Sequence, residues 1–431
     1  MTVLLFRKLT LACVASVLLA GYAVPAGLVP PAPWTLPNGI RVVLVPIPES
    51  ENVSVFTYVP MGLASDPAGK TQWAHLVEHL VIRTTHPATS NEVNAETLPD
   101  HMRLDFYGTV NNWRDGLAHH AAWLSGGDFN EETLRREVRA VLGECDSTAR
   151  NLATHKFAMA AWAQGCRHGL NHAAVKGDLE RATLDAVRQY HGKHFAVLGQ
   201  TVVCIVGGVT PEEARAASAE ALSGLKSDAS SPTPAATATG DQAITWDLPT
   251  RHLVLSWLLP KPTDKGYAAL YAAAAQLQMQ LFQDQELKKL AGVVLVGADL
   301  ATPEGRYFYV NAVLQPGAPF EEVREALETH LNALQNETTA GLVAMTGGQL
   351  AYQLTQVMDP ALVRKQAPPD VSTAMIEGNL GLQWGMREFQ FGADRETLAN
   401  NLSVLTGDDV QAALKRYLTT ERRLVMTIRP E

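Results

Sequence analysis

The pentapeptide His75-Leu76-Val77-Glu78-His79 carries two imidazoles and a carboxylate with helical spacing. Residues at positions i, i+3 and i+4 project from the same side of an α-helix, so these three side chains would share one face. Neutral imidazole is a good ligand for Zn²⁺, and two histidines one turn apart can bind the same ion. The glutamate between them is left free as a base beside the metal. The pattern therefore predicts a zinc helix with His75 and His79 as ligands and Glu78 as general base.

A catalytic zinc site needs a third protein ligand, and a second segment of helical pattern, residues 129–144, offers two candidates. Glu137 and Glu144 are seven residues apart, which is two helical turns, so both carboxylates would lie on one face. We assign Glu144 as the metal ligand. Glu137 is predicted to support catalysis by orienting a ligand or the water, because ligands are normally held by such partners. The alternative for each is a solvated helix residue with no role in the site.

These motifs resemble the N-terminal domain of the pitrilysin/insulinase/mitochondrial-processing-peptidase family of zinc metallopeptidases, in its half-length bacterial type. The resemblance is specific over about residues 35–150 and rests on pattern and length elsewhere. It implies one Zn²⁺ per chain, with the roles given above for the two histidines and the glutamates. It also implies that Asn94-Ala95 lies on the strand beside the active site and binds substrate. The further matching positions are Pro37–Val45, Val53–Val55, Gly62, Gly69–Thr71 and the glutamate pair.

Two departures from the family concern the surroundings of the site. The segment Arg83–Ser90 replaces a Gly-rich passage, and the interval from His79 to Glu144 is short, so loops near the cleft are trimmed. In active single-chain relatives the second half supplies an Arg and a Tyr that grip substrate, whereas Glu286–Val294 contains neither. The resemblance therefore implies a dimer, in which a zinc-less sister subunit completes a zinc-bearing chain of this kind.

The order of elements predicts an α+β protein of two similar domains, each a mainly antiparallel sheet packed against helices and joined by a flexible linker. The zinc-bearing domain would span residues 34–225, and the Ser/Thr/Ala/Pro-rich stretch 226–240 would be the linker. The second domain, 241–431, has no metal motif. The predicted helices are 72–84, 113–125, 130–149, 178–193, about 210–224 and 265–283, followed by further helices to about 418; the strands include 40–46, 52–59, 102–109, 251–259, 293–299, 306–313 and 423–428.

The composition and the N-terminal segment indicate which partners and which cellular location to expect. The chain has 431 residues, 46% of them hydrophobic, and a net charge of −9 without a basic run, which argues against nucleic-acid binding. Residues 1–23 have the positive start, apolar stretch and small-residue end of a secretory signal. We expect an exported, periplasmic or secreted protein without stable membrane insertion; an uncleaved N-terminal anchor is the alternative. The remaining cysteines, Cys145, Cys166 and Cys204, are odd in number and allow at most one disulfide.

The sequence thus favours a zinc-dependent endopeptidase that hydrolyses extended peptides or unfolded segments inside a chamber, as the catalytic subunit completed by a partner. The alternative is a non-catalytic assembly or peptide-binding subunit of the same fold.

Overall fold

The computed structural model describes residues 27–430 except 68, 89, 99, 128, 151–175, 228–238, 247–249, 299–300, 303–304 and 369. The predicted signal peptide, Cys166 and most of the predicted linker lie outside the described residues. No helix among those described is both long enough and apolar enough to cross a bilayer.

A six-stranded sheet organises the first half of the chain in the order β1-β2-β6-β3-β5-β4. Only β2 and β6 run parallel, and every other neighbouring pair is antiparallel. The strands are β1 (Trp34–Thr35), β2 (Arg41–Pro46), β3 (Asn52–Val59), β4 (Val93–Thr97), β5 (Met102–Thr109) and β6 (Val202–Gly207). The helices are α1 (Trp73–Thr85), α2 (Trp113–Ser125), α3 (Glu131–Arg150), α4 (Lys176–Glu180), α5 (Leu184–Phe195) and α6 (Pro211–Leu222).

The second half contains a six-stranded sheet in the order β10-β11-β8-β12-β7, with β9 paired to β11 as well. Its strands are β7 (Gly240–Trp246), β8 (His252–Leu258), β9 (Ala291–Gly297), β10 (Ala301–Thr302), β11 (Gly305–Leu314) and β12 (Arg423–Pro430). Its helices are α7 (Lys265–Gln283), α8 (Gln285–Leu290), α9 (Phe320–Asn336), α10 (Ala340–Thr355), α11 (Pro360–Gln366), α12 (Thr373–Phe391), α13 (Arg395–Ser403) and α14 (Gly407–Tyr417).

The two sheets have the same topology. In each, the first long strand runs parallel to the last strand, β2 with β6 and β7 with β12. The last strand also pairs antiparallel with the second long strand, β6 with β3 and β12 with β8. The second long strand pairs in turn with β5 or β11, and that strand also pairs with the outer strand, β4 or β9. The predicted fold class, two similar α+β units with mainly antiparallel sheets, is confirmed.

Helix α12 belongs to the second half in sequence but packs on the first sheet, against β3 and β6. Two glycines permit this approach: a Cβ on Gly381 would lie 2.3 Å from Val206 Cγ1, and one on Gly385 would lie 2.6 Å from a ring carbon of Tyr58. The Tyr58 hydroxyl donates to the Leu382 carbonyl at 2.6 Å. The face of the first sheet opposite α1 is therefore covered by the other half of the chain.

Local predictions differ from the structure at several places, and two of them have a clear physical cause. The predicted helix 178–193 is two helices, because the chain breaks at Thr183, whose side chain caps α5 by accepting from the Ala186 amide. Strand β7 was not predicted, since it is an edge strand with exposed polar residues such as Asp241 and Gln242. Cys204 is fully buried in β6, as expected of a core residue, and its thiol is free.

Candidate metal centre

Helix α1 is amphipathic in a way that leaves its two histidines at the border of the core. Leu76, Val77, Leu80 and Val81 are fully buried and hold the helix against the first sheet and its neighbouring helices. The side chains of His75 and His79 keep 18% and 11% of their surface exposed, respectively. Packing therefore fixes the helix while both imidazoles remain accessible to a small ion.

The Nε2 atoms of both histidines face the same carboxylate oxygen, supplied by helix α3. Glu144 Oε2 lies 3.4 Å from His75 Nε2 and 3.6 Å from His79 Nε2. The three ligand atoms all lie within 4.8 Å of one another, and among the described residues no other group of three His, Cys, Asp or Glu does so. Donors about 2.1 Å from a tetrahedral ion lie roughly 3.4 Å apart, so the spacing fits Zn²⁺. The donor set, two imidazoles and one carboxylate, is one that catalytic zinc sites use.

The other ring nitrogen of each histidine is held by a separate partner. His75 Nδ1 lies 2.8 Å from Gln72 Oε1, and His79 Nδ1 lies 3.0 Å from Glu137 Oε2. An acceptor at Nδ1 keeps the proton on that nitrogen and leaves the Nε2 lone pair for a metal. Glu137 therefore contacts the ring nitrogen of His79 that does not face Glu144.

Glu137 is buried and is balanced by two arginines. Arg136 Nε donates to Glu137 Oε1 at 2.7 Å, and Arg83 Nε lies 3.4 Å from the same oxygen. Burial disfavours the charged carboxylate, but the bonds from His79 and Arg136 outweigh it and lower the pKa of Glu137 to about 2. The carboxylate behind His79 is therefore ionised throughout the physiological range.

The same contacts shape the protonation of the ligands. Burial disfavours the charged imidazole of His79, but hydrogen bonds to Glu137 and Glu144 raise its pKa to about 10. Burial also opposes ionisation of Glu144, yet the bonds to His75 and His79 hold its pKa well below the usual range. A divalent cation must therefore displace a proton from His79, and metal affinity falls as the pH falls.

Glu78 lies on the same helix and outside the ligand group. It is 8% exposed, and one carboxylate oxygen accepts a hydrogen bond from Thr97 Oγ1 at 2.5 Å. Thr97 is the last residue of β4, so a side chain of the outer strand orients the predicted base.

Asn94 and Ala95 lie in β4, at the edge of the first sheet, and do not belong to the ligand group. Asn94 is exposed, whereas Ala95 is half-buried and packs against the core. Helix α1, which carries His75 and His79, contacts this strand.

Buried acids fix the N-terminal end of α1. Asp66 Oδ1 accepts from the Ala74 amide at 2.9 Å and from the Tyr190 hydroxyl at 2.6 Å. Burial raises the pKa of Asp66 to about 7, although these bonds oppose the shift. Asp178 Oδ2 accepts from the amide and the hydroxyl of Thr71, each at 3.1 Å.

Sequence reasoning missed Gln72, Thr97 and Asp66. Gln72 stands three residues before His75, a spacing at which helix neighbours meet, and this is the one signal that could have pointed to it. Thr97 and Asp66 reach the site through tertiary contacts that no local spacing announces.

Comparison with known proteins supports the family and the fold. Residues 181–346 match the family described as "Peptidase M16 inactive domain". No curated protein sequence is significantly similar to the chain. A protease from Helicobacter pylori has a similar structure with a TM-score of 0.68 and 17% identity, over 93% of this chain and 99% of that one.

Two further structures extend the comparison. The peptidase M16 inactive domain from Pseudomonas fluorescens aligns with a TM-score of 0.65 and 17% identity, over 93% of this chain and 98% of its own. The periplasmic protease PqqL from Escherichia coli aligns with a TM-score of 0.63 and 16% identity, over 94% of this chain and 48% of its own. Identities this low establish the fold alone.

Residues 181–346 therefore match the M16 inactive-domain family, and the fold is that of M16-like proteins of similar length. The resemblance to the pitrilysin family is confirmed by the match over residues 181–346 and by the shared fold. The matched range does not include His75, His79 and Glu144, the group of possible metal ligands. The word "inactive" therefore describes a part of the chain outside this metal group.

Proposed function

We propose that this protein is a zinc-dependent endopeptidase that holds one Zn²⁺ through His75, His79 and Glu144. The observation that carries the proposal is the convergence of both Nε2 atoms on Glu144 Oε2 while each Nδ1 is held from behind. Separate elements, α1 and α3, supply the three donors, and a surface cluster would not require a buried carboxylate such as Glu137 behind a ligand.

Zinc at such a site supplies a Lewis acid that polarises a peptide carbonyl and lowers the pKa of a water molecule. Glu78 accepts the proton of the attacking water and returns it to the leaving amine. Thr97 holds one carboxylate oxygen of Glu78, so the other oxygen is the one that exchanges the proton. Glu137 keeps His79 in the tautomer whose Nε2 lone pair is free.

The substrates we propose are extended peptides or unfolded segments. Strand β4 lies at a sheet edge beside the metal helix, and an extended peptide can add to such an edge through main-chain hydrogen bonds. Asn94 and Ala95 would contact the peptide there. Main-chain pairing gives affinity with little dependence on sequence, which suits a peptidase for varied segments.

We also propose that the protein acts together with a partner subunit. The chain spans 48% of PqqL, so the longer protein has room for a second unit of this size. A dimer with a zinc-less sister would enclose the site in a chamber and supply the Arg and Tyr that this chain's Glu286–Val294 segment lacks. PqqL is a periplasmic protease, and we place this protein likewise in an extracytoplasmic space, after removal of residues 1–23. We propose 34–225 and 241–431 as its domains and 226–240 as the linker, whose last residue, Gly240, already begins β7.

The second candidate function is a non-catalytic assembly or peptide-binding subunit. The description of residues 181–346 as an inactive domain favours it. The intact group of His75, Glu78, His79 and Glu144 favours the peptidase, because a scaffold has no need of a general base beside a metal site.

The test compares the full chain with Glu78→Gln and His79→Ala, with and without the proposed sister subunit. We expect about one zinc per chain in the wild type and in Glu78→Gln, and a large loss of zinc in His79→Ala. Hydrolysis of an unstructured peptide should fall by roughly 10²–10⁴-fold in Glu78→Gln. Glu322→Gln, an exposed residue of α9, is the matched control. Equal hydrolysis by wild type and zinc-loaded Glu78→Gln would refute the mechanism, and a wild type without zinc would favour the second function.

A further inference from the structure

Gln72 has an unusual backbone conformation immediately before the metal helix. Its φ of 65° and ψ of 17° lie in the left-handed region, which disfavours residues with a Cβ. Of the described non-glycine residues, only Gln72 and Glu49 have a positive φ. Gln72 is also buried, with 2% of its surface exposed. A strained conformation persists where its surroundings enforce it, and such residues cluster at functional sites.

The side chain of Gln72 does not cap its own helix. Gln72 is the N-cap of α1, and its carbonyl accepts the first helical bond from the Leu76 amide at 2.9 Å. An N-cap side chain commonly accepts from an amide of the first turn, but Gln72 makes no such bond. Asp66 takes over this function by accepting from the Ala74 amide. The side-chain carbonyl of Gln72 makes a different contact.

That contact is His75. Gln72 Oε1 lies 2.8 Å from His75 Nδ1, while Nε2 of the same ring lies 3.4 Å from Glu144 Oε2. A carbonyl oxygen can only accept, so it selects the tautomer with the proton on Nδ1 and leaves the Nε2 lone pair toward the metal position. The amide is neutral, in contrast to the carboxylate of Glu137 behind His79, so it orients the ring without adding a charge.

We infer that Gln72 is a positioning residue for zinc binding: its left-handed backbone directs the side-chain carbonyl to His75 Nδ1 and fixes that ring for coordination. The inference rests on the proposed function, because it concerns the same metal site. Gln72 touches neither substrate nor metal in this role and acts only through His75.

The test measures the zinc dissociation constant of the full chain by competition with a chromophoric chelator at about pH 8, in wild type and three variants. Gln72→Met keeps the length of the side chain but has no strong acceptor, and Gln72→Gly removes the side chain and suits the left-handed backbone. Gln72→Glu restores an acceptor oxygen. We expect zinc binding to weaken about 10–100-fold in the first two variants and to stay within a few-fold of wild type in the third.

The melting temperature of the metal-free chain separates positioning from folding. Gln72→Gly should melt at the same temperature as Gln72→Met or higher, because glycine relieves the left-handed strain, yet it should bind zinc as weakly. Wild-type affinity in both Gln72→Met and Gln72→Gly would overturn the inference, as would Gln72→Glu binding as weakly as they do. A wild type that binds no zinc would overturn the proposed function and this inference together.

Discussion

The two halves of the chain place a helix against an outer strand in the same way, but of the described residues only those of the first half form a group of possible metal ligands. Helix α1 contacts β4, and helix α7 contacts β9. The exposed border of α1 bears the two histidines, whereas α7 bears a run of buried alanines, Ala272–Ala274, and no histidine or acid. The same arrangement of helix and strand therefore occurs twice, and a few polar side chains distinguish the copy that carries the proposed site.

The outer strands differ as well. In the second half Gln278 of α7 donates through Nε2 to the Val294 carbonyl at 3.2 Å and accepts from the Val296 amide at 2.8 Å. These are the bonds that a neighbouring parallel strand residue would make, so one side chain closes the edge of β9. Among the described residues, no side chain bonds the backbone of Asn94–Glu96 in β4 in this manner. Within the described part of the chain, side-chain bonds of this kind therefore cap the edge of β9 and not that of β4.

The largest effect is expected when Glu144 is removed, because this residue completes the proposed metal site that distinguishes the first half from the second. Glu144→Ala deletes the ligand from α3 and leaves two imidazoles, so zinc affinity should fall by more than about 100-fold, beyond the range for residues behind a ligand. Glu325→Ala, at an exposed position of α9 in the second half, should leave zinc affinity unchanged. Equilibrium dialysis with zinc measures both. Retention of zinc by Glu144→Ala would show that α3 does not complete the site.

A smaller loss is expected when the support of a ligand is changed. Glu137→Gln keeps the size of the side chain but removes the charge that faces His79, Arg83 and Arg136. Zinc affinity should fall about 10–100-fold, as is typical for partners behind a ligand. Glu132→Gln, exposed on the same helix, is the control. If Glu137→Gln bound zinc as tightly as wild type, Glu137 would be a structural residue of α3 and no part of the site.

The sequence predicted what depends on spacing within one element. The helix of His75 and His79 appeared at 73–85 where 72–84 was expected, and α2 and α7 have their predicted ends. The features that the sequence did not predict depend on contacts between different helices and strands. The bond from Thr97 to Glu78, the packing of α12 on the first sheet and the closure of β9 by Gln278 each join residues whose local sequence gives no sign of a partner.

The pH dependence of stability offers a further test of the half that contains His75, His79 and Glu144. In the metal-free chain the pKa of His79 is raised from its ordinary value of 6.5 to about 10. The stability that this group contributes is complete below about pH 6.5 and is lost as the pH rises toward 10. Urea unfolding with a chelator present should show wild type losing stability over this window relative to His79→Ala. With zinc added the trend should reverse, since metal binding favours the neutral imidazole. Identical pH profiles for the two proteins would contradict the assigned contacts.

The smallest expected effect concerns the closed edge of the second half. Gln278→Ala removes two hydrogen bonds and leaves the outward amide of Val296 and the carbonyl of Val294 to solvent, so the free energy of unfolding should fall by about 1–2 kcal/mol. Both residues lie in the apolar stretch Val293–Val296 of β9. Exposed apolar strand edges associate with other strands. Sedimentation should therefore show more self-association for Gln278→Ala than for Gln283→Ala, an exposed glutamine at the end of the same helix. If the two variants associated equally, the side chain of Gln278 would not be what keeps β9 from pairing with another strand. The outer strands of the two halves would then differ only in the proposed ligands that lie beside β4.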